Sequence, residues 1–141
     1  MTIHQLSIFL ENTTGTLVTV LQVLKRAHIQ LVSMTIADTA EYGILRIICA
    51  EPIRACQELK QAGVAVALSD VFAIELDNQP GSAADVAELF SQAGIGITYI
   101  YTFLLGGKGI LICRTDDADK VARLIEEHHL PYVSEEALAA L

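Results

Sequence analysis

The feature that most constrains this chain is an internal repeat. Leu10-Glu11-Asn12-Thr13-Thr14-Gly15-Thr16 lies over Leu76-Asp77-Asn78-Gln79-Pro80-Gly81-Ser82, an ungapped offset of 66 residues. At the same offset Ala27-His28-Ile29 lies over Ala93-Gly94-Ile95, and Gly43-Ile44-Leu45 lies over Gly109-Ile110-Leu111. The matches fall at structural punctuation: a turn glycine, the end of a helix and the start of a strand. Self-similarity at a fixed period marks a unit used more than once. The 141 residues therefore read as two modules, 1–69 and 70–141.

Each module carries the same periodicities. His4 to Glu11 alternates, with Leu6, Ile8 and Leu10 on one face, which predicts a strand. The Asn12 to Gly15 segment is turn chemistry. Leu17, Val20, Leu21 and Leu24 then form a helical stripe that His28 ends. Leu31 to Ile36 and Ile44 to Cys49 read as strands around the loop 38–43. Pro52 opens a second helix with Ile53, Cys56 and Leu59 inward, Gly63 stops it, and Val64 to Leu68 is a last strand.

In the second copy, Val71 to Leu76 is a strand and Ser82 caps a helix with Ala83, Val86, Ala87 and Phe90 on one face. Ile97 to Leu105 and Ile110 to Arg114 are strands around Gly106-Gly107. Thr115 or Asp116 caps a helix with Ala118, Val121, Ala122 and Ile125 inward. Tyr132-Val133 is a short strand, and Ser134 caps a final turn from Glu135 to Leu141.

The pattern is βαββαβ twice. It predicts an α+β fold of two ferredoxin-like modules, each an antiparallel four-stranded sheet with both helices on one face. The other face must be polar or covered.

Charge and thiols narrow the function. The net charge is −8, with 5 basic and 6 acidic residues in 1–70 against 4 and 11 in 71–141. Affinity for nucleic acid comes from Lys and Arg on phosphates, so a polyanion is not an expected partner. Cys49, Cys56 and Cys113 are odd in number and form no CxxC, which fits reduced thiols and a cytoplasmic protein. The amino-terminal residues do not read as a signal peptide, and no apolar run of about 18 residues predicts a membrane span. His128 and His129 are adjacent, about 100° apart on a helix, so they cannot chelate together, and no metal or cofactor is expected.

Several modules share βαββαβ, so local residues must decide between them. Ile44 to Cys49 lacks the aromatics of an RNA-recognition strand, and the first loop lacks both CxxC and a phosphate-cradling Arg. A strand followed by Glu11-Asn12-Thr13-Thr14-Gly15 and a helix ending Ala27-His28-Ile29-Gln30 resembles the ACT domain. So does a strand followed by Asp77-Asn78-Gln79-Pro80-Gly81 and a helix ending Ala93-Gly94-Ile95-Gly96-Ile97. The resemblance covers the whole chain. It implies a free-standing tandem ACT protein, similar to small regulatory subunits such as that of acetolactate synthase.

That resemblance implies a non-catalytic regulatory module for amino-acid metabolism that binds a small-molecule amino acid at the loops between first strand and first helix, between ACT modules. Gly15 and Gly81 let backbone approach the ligand, and helix N-terminal N–H groups suit an α-carboxylate where neither loop offers Arg or Lys. Glu11 and Asp77 are candidates to attract the ammonium. A polar residue after the first helix of the neighbouring module completes the site; here that position is Gln30 in one copy and Gly96, with no side chain, in the other. The expected ligand-binding residues are Asn12, Thr14, Gly15, Thr16, Gln30, Ser33, Asn78, Gln79, Pro80, Gly81, Ser82, Thr98 and Tyr99. Val32, Met34 and Ile100 lean toward a neutral or apolar ligand side chain. Plain turn chemistry explains the same Asn and Gly residues without a ligand. The alternative functions are a regulatory subunit of a biosynthetic enzyme acting by protein contact, and a small enzyme.

The composition adds an assembly expectation. The chain is 52% apolar and 18% charged, richer in apolar residues than ordinary domains, and modules of about 70 residues are marginal alone. Surplus apolar surface is then buried between modules and between chains. Light scattering at micromolar concentration should report a homodimer, twice the chain mass of 15.2 kDa; a monomer mass contradicts the expectation.

Overall fold

A computed structural model describes residues 1–11, 15–38, 42–77 and 79–140. The elements in chain order are β1 (Ile3–Glu11), α1 (Thr16–Arg26), β2 (Leu31–Asp38), β3 (Tyr42–Cys49), α2 (Pro52–Gln61), β4 (Val66–Leu76), α3 (Ser82–Gln92), β5 (Ile97–Leu105), β6 (Lys108–Thr115), α4 (Ala118–Glu127) and α5 (Glu135–Ala139). This is the α+β fold of two βαββαβ modules. The loop 38–43 falls largely outside the described residues.

The chain forms two compact units. The N-terminal unit holds His4–Asp70 with Glu135–Leu141, and the C-terminal unit holds Val71–Ser134 with Met1–Ile3. The boundary falls inside β4. Two separate strands were expected there, but Ser69-Asp70 contains neither Gly nor Pro and continues the extended chain as one strand of 11 residues. Ser69 Oγ lies 3.0 Å from Ser7 Oγ of β1, so this stretch still pairs sideways.

In the N-terminal unit the strand order is β2-β3-β1-β4. β3 pairs antiparallel with β1, Ile8 opposite Leu45 and Leu6 opposite Ile47. Those four side chains are fully buried and join Leu10, Val20, Leu24, Ala55, Cys56 and Leu59 in one core between the sheet and α1 and α2. Ile53, expected inward, is 54% exposed, because Pro52, Ala55, Cys56 and Leu59 set the buried face of α2. α5 belongs to this unit: Leu138 is buried, and Glu135 accepts a hydrogen bond of 3.0 Å from the His4 backbone N–H.

The C-terminal unit repeats the plan. β4, β6 and β5 are successive neighbours, Ile74 opposite Leu111 and Phe72 opposite Cys113. Val86, Phe90, Val121, Leu124 and Ile125 close its core. Ala83 and Ala87 are exposed, leaving Val86 and Phe90 as the buried stripe of α3. The expected strand at Tyr132-Val133 is a single bridge to Ile74, extended by Val133 N–H donating to the Ala73 carbonyl at 2.8 Å. The cap of α4 is Asp117, which accepts from Lys120 N–H at 3.1 Å, one residue beyond the expected position.

The sheet face away from the helices is not uniformly polar. Ile48, Ile110 and Ile112 lie on it by register and are buried. Ser33, Thr35, Tyr99 and Tyr101 share that face on the edge strands.

The offset of 66 holds in the backbone itself. Gly15 and Gly81 have φ of 99° and 92°, and both stand at helix N-caps. His28, with φ of 56°, matches Gly94 at 71°; Gly63 at 80° matches His129 at 51°. Backbone hydrogen bonds repeat too: Ala50 N–H donates to the Gln30 carbonyl at 3.0 Å, and Asp116 N–H donates to the Gly96 carbonyl at 3.1 Å. The second pair adds a bond that the first lacks, from Gly96 N–H to Asp116 Oδ1 at 2.9 Å.

A Cβ at Gly96 would sit 2.5 Å from Asp116 Oδ2. Gly96→Ala therefore displaces the Asp116 carboxylate and costs about 1 kcal/mol, the net worth of one such bond. In a double-mutant cycle by urea unfolding, Gly96→Ala should cost much less in an Asp116→Ala background; equal costs in both backgrounds contradict the coupling.

Burial raises the Cys49 thiol from the ordinary 9.0 to about 11 and that of Cys113 to about 12. A thiol that keeps its proton longer folded than unfolded stabilises the fold below pH 9, and that stability is lost as pH rises from 9 toward 11. Urea midpoints should fall over this window. The fall should be shallower in Cys49→Ala/Cys113→Ala, although that variant is less stable throughout; an unchanged slope contradicts the assignment.

Candidate functional site

Each unit has a groove where its first strand turns into its first helix, and the two are lined by matching positions. In the N-terminal unit Phe9, Glu11, Gly15, Thr16, Thr19, Val20, Ala62, Gly63, Val64 and Ala65 enclose about 470 Å³. In the C-terminal unit Glu75, Leu76, Asp77, Ser82, Asp85, Val86, Leu130 and Pro131 enclose about 190 Å³. Phe9 and Glu75, Glu11 and Asp77, Thr16 and Ser82, Thr19 and Asp85, Val20 and Val86, Val64 and Leu130, Ala65 and Pro131 are all 66 apart.

The local sequence explains the shape. A residue entering a helix from the left-handed region carries its chain sharply around, and glycine does so without steric cost. The helix N-terminus is thereby set beside the end of the strand. Neither α1 nor α3 has a side chain bonded to its first N–H groups from the N-cap position, since that position is glycine. The helix dipole favours an anion there, and at α3 the Ser82 N–H already donates to the Gln79 carbonyl at 3.3 Å. The far wall of each groove is the turn that leads from the second helix toward the last strand or bridge.

The two grooves differ in chemistry. The first turn of α1 contains no acidic residue, and Thr19 Oγ donates to the Gly15 carbonyl at 3.1 Å. The first turn of α3 contains Asp85. Ser82, expected as the cap of α3, is instead its first residue. Its hydroxyl donates to the Asp77 carboxylate and lies 3.0 Å from the carbonyls of Asp77 and Gln79, which ties the turn to itself. Glu75 pairs with Lys108 at 3.6 Å.

Of the residues expected to hold a ligand, Gly15 and Thr16 line the first groove and Ser82 the second. Gln79, Pro80 and Gly81 form the turn before α3. Asn12, Thr14 and Asn78 lie outside the described residues. Gln30, Ser33, Thr98 and Tyr99 line neither groove. The Gln30 side chain donates to the Leu31 carbonyl at 3.1 Å. Ser33 and Tyr99 sit beside β-bulges at the starts of β2 and β5. Met34 and Ile100 are exposed on these edge strands. Among the lining residues missed in the sequence, Phe9 and Glu75, Thr19 and Asp85, and Ala62 to Ala65 with Leu130 and Pro131 come from the strand end, the first helical turn and a distant turn. Their signal was the offset itself, which pairs 64 and 65 with 130 and 131.

Other chemistry-bearing groups are accounted for structurally. All three cysteines are buried and free. His4 Nδ1 lies 2.6 Å from Glu135 Oε1, and its Nε2 lies 3.7 Å from Asp70. Glu51 at the start of α2 is bonded by Arg54, which holds its carboxyl below the usual range, and Arg54 also donates to the Ala27 carbonyl at the end of α1 at 2.7 Å. Among the described residues no three His, Cys, Asp or Glu side chains are grouped to hold a metal, and no helix is long and apolar enough to cross a membrane.

Comparison with known proteins places this geometry. No curated protein sequence matches the chain. Among solved structures it is similar to protein BT0572 from Bacteroides thetaiotaomicron, with 35% identity over 100% of this chain and 98% of that one, at a TM-score of 0.93. It shares its fold with the ligand-free regulatory subunit of aspartate kinase from Thermus thermophilus, at 14% identity, 88% and 90% coverage and a TM-score of 0.60. The corresponding subunit from Thermus flavus gives 17% identity, 89% and 92% coverage and a TM-score of 0.58. The family described as ACT domain pair matches residues 1–141, so the chain belongs to the ACT domain pair family.

Proposed function

We propose that this protein is a non-catalytic regulatory module that binds a small-molecule amino acid at a strand-to-helix groove and relays it to an enzyme of amino-acid metabolism. The observation that carries the reading is the groove itself, built twice from matching positions around a helix N-terminus that no N-cap side chain fills. An α-carboxylate suits that terminus, and a carboxylate on the strand end suits an ammonium. Kinship with regulatory subunits of aspartate kinase supports a role in sensing. A homodimer in the cytoplasm, in contact with a biosynthetic enzyme, is the assembly we expect.

Membership of the ACT domain pair family supports the non-catalytic part of the reading. Thermal shift against the twenty amino acids at millimolar concentration tests the proposal. At least one should raise Tm, by mass action on the folded state. No shift with any of them contradicts amino-acid sensing.

A further inference from the structure

Resting on that reading, we infer that the two grooves have parted in function: the N-terminal groove alone takes the amino acid, one per chain, and it selects an apolar side chain. The comparison is internal, between matching positions of one molecule, and uses only described residues.

Size separates the two first. The N-terminal groove, at about 470 Å³, has more than twice the volume of its twin, at about 190 Å³. Ala65 and Val64 on one wall are replaced by the bulkier Pro131 and Leu130 on the other.

Charge separates them again. A ligand carboxylate at the start of α1 meets Thr19 and no acidic residue in the first turn. At the start of α3 it would meet Asp85, which takes the place of Thr19. Like charges a few ångströms apart oppose binding. The Ser82 hydroxyl is committed to Asp77 and the turn carbonyls.

The lining sets the side-chain class. Beyond Glu11, which faces the ammonium, and the threonines, the N-terminal groove offers Phe9, Val20, Ala62, Val64 and Ala65. It contains no basic residue to pair with an acidic side chain. One carboxylate, needed for the α-ammonium, leaves none for a basic side chain. A leucine, valine or methionine side chain buries apolar surface there without stranding a charge.

Isothermal titration with L-leucine, L-valine, L-methionine, L-aspartate and L-lysine tests this on the full chain, with Thr19→Asp and Asp85→Thr as variants. Thr19→Asp places an acid in the first turn of α1, where it stabilises the helix, so Tm should not fall. Apolar amino acids should bind wild type at one per chain. Thr19→Asp should weaken that binding by at least about tenfold, and Asp85→Thr should leave it within about twofold.

Two sites per chain, or loss in Asp85→Thr with binding kept in Thr19→Asp, overturns the asymmetry and leaves amino-acid sensing standing. Tight binding of only aspartate or lysine overturns the apolar class. Binding of none of the five overturns this inference, and no Tm shift with any of the twenty amino acids overturns the sensing role with it.

Discussion

Each unit depends on a strand that passes into a helix through backbone that an L side chain strongly disfavours. With φ near 99° at Gly15 and 92° at Gly81, the chain enters α1 and α3 from the left-handed region, after the strands that precede them. That entry does two things. It lays the helices flat on the sheet, where Val20 and Leu24, or Val86 and Phe90, bury against Leu6, Ile8 and Leu45, or Ile74 and Leu111. It also puts a groove at the helix start, where glycine supplies no capping side chain. Fold and candidate site therefore share one local cause.

Duplication exposes what each copy changed. Where one copy has Gln30 and Ala50, the other has Gly96 and Asp116, and the carboxylate has moved into the space a side chain at 96 would need. Where one has Thr19, the other has Asp85. The 11 acidic residues of 71–141, against 6 in 1–70, include Glu75, Asp77, Asp85, Asp116 and Asp117 at the groove, the Gly96 contact and the start of α4. The acidic surplus is thus partly structural and partly a change in what one groove accepts.

Much of the fold was legible because it is written in periodicities. Alternation in Leu6, Ile8 and Leu10 and the stripe Val20 and Leu24 gave the elements, and the offset of 66 gave the duplication. Errors arose where two periodicities meet. Ser69-Asp70 looked like a boundary because the modules change there, yet nothing in those residues breaks extended backbone. Ile53 and Ala83 followed the helical stripe by spacing but lie on its margin, where tertiary packing decides exposure. Site residues were legible only along the chain: Gly15 and Thr16 stood in a motif, whereas Val64 and Ala65 reach the same groove from 50 residues away through the fold. Local hydrogen bonds also engage two residues that a motif assigned to ligand, Gln30 and Ser82.

The central claim is that one module, used twice, presents two unlike grooves of which the N-terminal one binds. Amide NMR during titration with L-leucine tests it most directly. The account predicts shifts concentrated at the backbone amides of Gly15, Thr16, Thr19, Val64 and Ala65, with those of Ser82, Asp85 and Leu130 unmoved. Shifts centred on Ser82, Asp85 and Leu130, or equal in both sets, would contradict it.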